Sequence, residues 1–134
     1  MTSANVPISG FDSLIGLTIE EVTRDGVTAS FEVRTELQQP YGVLHGGVLC
    51  SVVETVGSVS GAAWYGGAVV GTSNHTNFLR ATRSGRLTAR STPVHRGKTQ
   101  QLWDIAITDS AGLLVAKGQL RLANLSSSAN LGQT

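Results

Sequence analysis

Residues 46–64 read GGVLCSVVETVGSVSGAAW, an apolar run rich in small residues and broken by a single charge, Glu54. Val52, Val56 and Val59, with Ala63, recur at helical spacing, which predicts a helix from Gly46 or Gly47 to about Trp64 with one aliphatic face. Cys50, Ser51, Glu54, Gly57, Ser58 and Gly61 fall on the other side. That second face is small and slightly polar, and leaves room for another backbone or for a ligand. Gly66-Gly67 supply the stop. Glu54 is the only formally charged side chain between Glu36 and Arg80. Taking a carboxylate out of water costs several kcal/mol unless partners compensate. A desolvated Glu54 is therefore expected either to be rescued by partners or to be kept for chemistry.

On either side of the helix the pattern changes to strands. Leu17 to Val22 and Val27 to Val33 read as a pair joined by a turn at Arg24-Asp25-Gly26, where Asp-Gly favours a hairpin. Glu36 to Leu44, with Pro40 and Gly42, reads as a loop into the helix. Four more strands are predicted at about 68–80, 86–95, 99–108 and 113–122, punctuated by Ser84-Gly85, Arg96-Gly97 and Asp109-Ser110-Ala111-Gly112. Two strands, one long helix and four strands make an α+β chain in which one antiparallel sheet wraps a single helix. The 134 residues fit one domain, at 14–124, between an N-terminal arm at 1–13 and a polar tail at 125–134 expected to fray.

Composition narrows the function classes. The single cysteine, Cys50, excludes an internal disulfide, and its place in the apolar helix suits a packed thiol. No metal-ligand spacing, Ser-His-Asp pattern, dinucleotide fingerprint or P-loop is recognisable. The start, MTSANVPISGF, lacks the basic and apolar regions of a signal peptide, and no apolar run reads as long and uninterrupted enough to span a bilayer. A cytoplasmic protein is expected. Six of the nine acids precede His45, whereas Arg80, Arg83, Arg86, Arg90, Arg96 and Lys98 run together without an acid. That run is either a solvated strand face or a basic rim for a phosphate-bearing ligand. Nucleic acid is not expected, because no binding motif or row of stacking aromatics accompanies the charge.

His45-Gly46-Gly47 opens the helix and Gln39 precedes it on the loop. A helix N-terminus presents unpaired N–H groups and a positive dipole end, and glycine there lets a carbonyl approach. Such donors polarise a carbonyl and hold the oxyanion formed on attack. Glu54 can then act as nucleophile or as general base for water. Ser58, one turn on, is placed to support it, and Gln39 can donate and accept. Gly46 and Glu54 are separated by about 12 Å along a helix rising 1.5 Å per residue. One reacting bond cannot touch both in one chain. A second, antiparallel copy of the helix resolves this and implies a two-fold dimer. Tyr41, Trp64, Phe78 and Trp103 are candidates for an aryl pocket or for the core.

Gln39-Pro40-Tyr41-Gly42-Val43-Leu44-His45-Gly46-Gly47-Val48, followed by Val53-Glu54-Thr55, resembles the hotdog-fold acyl-CoA thioesterases. More narrowly it looks like the phenylacetate-pathway and 4-hydroxybenzoyl-CoA thioesterase group with its G-x-x-H-G-G loop. Ser73-Asn74-His75-Thr76-Asn77-Phe78-Leu79-Arg80 and Val94-His95-Arg96-Gly97-Lys98-Thr99 are similar to later segments of that family. The resemblance implies a hotdog fold, a homodimer or a homotetramer built from it, and an active site at the dimer interface. By position it implies that Glu54 is the catalytic carboxylate, with Gln39 in the Gln/Glu pairing of one branch. Gly46 is the donor to the thioester carbonyl, and Ser58 stands where many relatives carry Thr. His45, Gly47, Ser73 and Arg80 become substrate contacts, and His95, Arg96, Gly97, Lys98 and Thr99 a turn that touches coenzyme A. The expected reaction is hydrolysis of an acyl- or aryl-CoA thioester without metal or redox cofactor, coenzyme A being part of the substrate. The alternatives are a hotdog dehydratase or hydratase using a His and an acid, and a non-catalytic acyl-CoA-binding protein.

Overall fold

A helix of 20 residues, α2 (Gly46–Tyr65), lies in the hollow of one antiparallel sheet and touches strands along its whole length. The computed structural model describes residues 2–3 and 10–126. In chain order the elements are β1 (Thr2–Ser3), α1 (Phe11–Ile15), β2 (Thr18–Thr23), β3 (Gly26–Glu32), a 3-10 turn (Thr35–Leu37), α2, β4 (Val69–Phe78), β5 (Arg86–Arg96), β6 (Gln100–Thr108) and β7 (Leu114–Asn124). The sheet order is β1-β2-β3-β5-β6-β7-β4, so the strand that follows the helix forms one edge. This is the hotdog architecture that the sequence predicted.

The strands follow the alternation of the sequence. In β6, Gln101, Trp103, Ile105 and Ile107 point inward and are buried, while the residues between them are half-buried. Phe31, Leu87, Leu120 and Leu122 complete the inner face beneath Val52, Val53 and Val56 of α2. Register shifts in β2, β4, β5 and near the end of β6 break the ladders at Ile19/Glu21, Gly71/Ser73, Pro93/His95 and Ile107/Thr108. Such bulges bend and twist a sheet, which lets it curl round a helix. Gly66, in the left-handed region at φ 76, closes α2 by donating to the Ala62 carbonyl at 2.8 Å.

The structure corrects one sequence expectation and refines two others. Gly57 and Gly61 belong to the buried side of α2, not to the face of Glu54. A Cβ built on Gly57 would lie 2.5 Å from Leu120 Cδ2, and one on Gly61 2.3 Å from Leu122 Cδ1, while one on Gly118 of β7 would lie 2.7 Å from Val53 Cγ2. Large and small residues thus interlock along an α2–β7 seam, and close approach of helix to sheet is what the glycines serve. Second, α2 is long and apolar enough, by length and composition, to cross a membrane. Here that apolarity is the core contact, because Val52, Val53 and Val56 have no exposure at all. Third, the N-terminal region holds β1, paired with β2, and α1, which straddles the boundary drawn between residues 13 and 14. Residues 127–134, most of the expected frayed tail, lie outside the described residues.

Candidate active site

The loop before α2 is a closed turn. Gln39 N–H donates to the Val43 carbonyl at 2.9 Å and Gly42 N–H to the Gln39 carbonyl at 2.9 Å, with Gly42 at φ 78. Leu44 N–H donates to Thr82 (2.7 Å) and His45 N–H to Leu37 (2.9 Å), which anchors the entry to the helix. His45 is the N-cap: its Nδ1 accepts the Gly47 N–H at 2.8 Å, and its carbonyl accepts the Val48 N–H at 3.0 Å. Gly47 is therefore committed to the cap and not free to hold an oxyanion beside Gly46. The Gly46 N–H takes no partner among the described residues. Helix geometry leaves this donor at the positive end of the dipole.

Gly46 faces a cleft of about 340 Å³ lined by Gln39, Leu49, Phe78, Arg80 and Val115 among others. The Phe78 ring lies over the glycine, so close that a Cβ there would sit 2.6 Å from Cε2. Gln39 is half-buried at the same cleft, and its Oε1 accepts the Tyr41 backbone N–H. With the carbonyl side of the amide satisfied, Nε2 is the end left to donate. Two donors, Gly46 N–H and Gln39 Nε2–H, thus belong to one cleft.

Glu54 lies elsewhere. It projects from the uncovered face of α2, where one carboxylate oxygen passes beside Gly71 of β4, 2.9 Å from a Cβ built on that glycine. Its side chain is exposed in the single chain, and its own chain does not supply the burial expected from its apolar neighbours in sequence. Among the described residues no hydrogen bond or ion pair holds it, and none joins it to Ser58, which is half-buried one turn further on. Glu54 does not line the Gly46 cleft. The two parts stand about 12 Å apart along the helix.

The basic residues also divide. Arg80 lines the cleft, and Arg83, beside it in sequence, reaches from Nη1 to the carbonyls of Tyr41 (3.3 Å) and Gly42 (3.4 Å). Sequence reasoning gave Arg83 no individual role, because its partner carbonyls are remote in the chain. Ser73 is exposed on the edge strand β4. The 95–99 turn sits at the other end of α2. Its Arg96 is half-buried, salt-bridged to Asp25 at 2.9 Å, bonded to the Arg24 carbonyl at 2.9 Å, and stacked over Trp64 (5.8 Å) and Trp103 (5.9 Å). Arg96 thus ties the β2–β3 turn to the helix end. Gly97 packs beneath His95 and the Gln100 carbonyl, and Asn124 binds the carbonyls of Gly97 (3.0 Å) and Lys98 (3.2 Å). His95, Lys98 and Thr99 remain exposed.

Of the four aromatic candidates, Trp103 is fully buried core and Trp64 packs against the core, whereas Tyr41 and Phe78 are exposed at the cleft end of the helix. Cys50 is half-buried, and its carbonyl accepts from Asn74 Nδ2 at 2.9 Å. No cluster of His, Cys, Asp and Glu with metal-binding geometry occurs among the described residues.

A family model described as the thioesterase superfamily matches residues 41–116. A proposed esterase of Mycobacterium tuberculosis is 45% identical over 120 residues, 86% of each chain. Its solved structure superposes with a TM-score of 0.85 over 86% of this chain and 95% of that one. The 1,4-dihydroxy-2-naphthoyl-CoA hydrolase of Escherichia coli is 34% identical over 113 residues, 83% of each chain. A Staphylococcus aureus thioesterase, 26% identical with a TM-score of 0.80 over 84% of this chain and 95% of that one, has been solved with a glutamine changed to alanine. The same protein has been solved with a glutamate changed to alanine. Those two positions are fifteen residues apart, as are Gln39 and Glu54.

Proposed function

The chain belongs to the thioesterase superfamily and is a thioester hydrolase, and on that premise we propose that it cleaves an acyl-CoA thioester to free acid and coenzyme A at a site completed by a second copy of itself. The observation that carries the proposal is the division of labour along α2. The unpaired Gly46 N–H and the Gln39 amide share a cleft, while the only carboxylate on the helix projects from its open face about 12 Å further along by the helical rise.

A symmetric partner brings them together. The outer edge of β4, ten residues long, carries exposed Ser73, Asn74, His75 and Asn77. An unpaired edge of that length invites pairing. Two β4 edges related by a two-fold axis run antiparallel, and so do their helices, which sets each Glu54 toward the other chain's Gly46. The same operation brings the 95–99 turn of one chain to the Gly46 end of the other, where Lys98 and His95 with Arg80 would meet the phosphates of coenzyme A. Arg96 is held by Asp25 and the two indoles, and acts in this scheme by shaping the turn.

The thioester carbonyl accepts hydrogen bonds from Gly46 N–H and Gln39 Nε2, which make its carbon electrophilic and hold the oxyanion. Glu54 of the second copy then either removes a proton from water as it adds to that carbon, or adds itself to give a mixed anhydride that water opens. In both routes the C–S bond breaks, the sulfur takes a proton, and one water is consumed. This chemistry needs acid–base groups and water, with no metal or redox cofactor. His45 supports hydrolysis over the dehydratase alternative, because its Nδ1 is committed to capping the helix.

Subunit complementation tests the interface. Gln39→Ala is expected to lower kcat about 10²-fold, the scale for one lost donor to a developing oxyanion. Glu54→Ala is expected to be still less active. Mixed dimers of the two variants contain one site with both native groups. Thiol release from a co-folded equimolar mixture should therefore recover about a quarter of wild-type activity, half the dimers being mixed with one working site each. A mixture no more active than its components would place Gln39 and Glu54 in the same subunit's site, or in none.

A further inference from the structure

The turn between β5 and β6 is held from one side by a single residue at the end of β7. Asn124 donates from Nδ2 to the carbonyls of Gly97 (3.0 Å) and Lys98 (3.2 Å), and its backbone N–H donates to the Thr99 carbonyl at 2.9 Å. Three consecutive carbonyls of the turn thus face Asn124. A trans peptide sets its N–H opposite its C=O, and no cis peptide occurs among the described residues. The N–H groups of Lys98 and Thr99 therefore point away from Asn124. Neither has a hydrogen-bond partner among the described residues, and both residues are exposed. Successive outward N–H groups make a concavity that receives an anion. The Lys98 ammonium and the Thr99 hydroxyl belong to the same turn, and lysine suits phosphate as a point charge.

Asn124 is itself fixed from behind. Its Oδ1 accepts from Gln101 Nε2 at 2.7 Å, and that nitrogen also donates to the Gly61 carbonyl of α2 at 3.2 Å. Gln101 has no exposure, and its Oε1 is taken by Trp103 Nε1 at 2.7 Å. With the Gln101 amide set by those partners, the Asn124 amide can stand only one way round, oxygen toward Gln101 and nitrogen toward the turn. Two amide side chains in series thereby fix the turn relative to α2.

We propose that Asn124 is a positioning residue: by holding the carbonyls of residues 97–99 inward, it presents the Lys98 and Thr99 N–H groups, with the Lys98 ammonium, to a phosphate of coenzyme A. The proposal rests on the hydrolysis reading above for its ligand. Asn124 touches neither the phosphate nor the reacting bond, so its loss acts on the binding of the nucleotide end and leaves the chemical step alone.

The test compares benzoyl- and hexanoyl-CoA with the N-acetylcysteamine thioesters of the same acids, which carry no phosphate, in wild type, Asn124→Ala and Asn124→Asp. Aspartate keeps the oxygen that faces Gln101 and loses the nitrogen that faces the turn. In both variants KM for the CoA thioester should rise about tenfold, the scale of one lost hydrogen bond to a charged group, with kcat within about twofold of wild type. Turnover of the N-acetylcysteamine thioester should not change. Lys98→Ala should raise KM as well, and combining it with Asn124→Ala should raise KM by less than the product of the two single effects, because both act through one turn. An unchanged KM, an equal loss on the two kinds of thioester, or fully multiplicative effects overturns the proposal. So does the failure of both Asn124 variants to melt cooperatively, which would make the residue part of the fold alone. If wild type hydrolyses none of the thioesters, the hydrolysis reading falls separately. The turn is then judged by calorimetric binding of coenzyme A itself, where a Kd raised about tenfold in Asn124→Asp upholds the proposal, and an equal Kd or no binding to wild type overturns it.

Discussion

Glutamine in place of Glu54 is expected to leave a folded, assembled protein whose kcat on its best CoA thioester is lower by about 10³–10⁴-fold, the upper range for loss of a positioned proton acceptor. The amide keeps the shape of the side chain and can neither take a proton from water nor attack the carbonyl. Stability should hold, because Glu54 is exposed and has no hydrogen bond or ion pair among the described residues, and substitutions of that kind stay within about 0.5 kcal/mol. Thiol release and a thermal melt on the same samples check both halves. A variant with wild-type kcat would remove Glu54 from the chemistry. A variant that is inactive because it no longer melts cooperatively would show that the carboxylate is structural. A single turnover in ¹⁸O-water identifies an anhydride opened at the Glu54 carbonyl, which leaves the label in Glu54, whereas water added to the acyl carbon puts it directly into the product acid.

Valine at Gly61 is expected to destabilise the fold by about 3 kcal/mol, at the upper end of what overpacking a tight core costs. The new Cβ would lie 2.3 Å from Leu122 Cδ1 and 3.0 Å from Gln101 Oε1. Neither neighbour can retreat easily. Leu122 is fully buried, and Gln101, also fully buried, holds a closed polar network. Its Nε2 donates to the Gly61 carbonyl (3.2 Å) and to Asn124 Oδ1 (2.7 Å), and its Oε1 accepts from Trp103 Nε1 (2.7 Å). Shifting Gln101 leaves buried donors unpaired, and each costs about 1–3 kcal/mol. The helix propensity gained by replacing glycine offsets well under 1 kcal/mol of this. Urea unfolding of the variant beside Ser58→Ala, a half-buried position of the same helix, gives the contrast. Equal stability of Gly61→Val and wild type would mean that helix and sheet do not meet closely along this seam.

Much of this was legible along the chain. The strand expected at 86–95 is Arg86–Arg96, and that at 99–108 is Gln100–Thr108, because alternation and glycine turns are local signals. The Asp25-Gly26 turn joins β2 to β3 as expected. The five-residue α1 escaped notice because it is too short to show a period. Its one signal is Gly16, a left-handed stop at φ 80. Arg96 counted in sequence as one more cation of a basic run, whereas its charge is answered by Asp25 from 71 residues away.

The amino-acid order by itself determined the element types, their sequence, and the pairing of a capped glycine helix start with a lone acid further along the helix. Those follow from backbone preference and from the spacing of residues along one element, which no neighbour can alter. Only the tertiary structure decided which side of α2 is covered. Residues adjacent in sequence turn by about 100° round a helix, so the apolar neighbours of Glu54 lie on the sheet side while Glu54 itself points outward. Gly57 and Gly61 look like partners of the polar face until Leu120 and Leu122 of a strand some sixty residues later fill the space above them. Burial is a property of what arrives from elsewhere in the chain, and it became visible only when the sheet had closed round the helix.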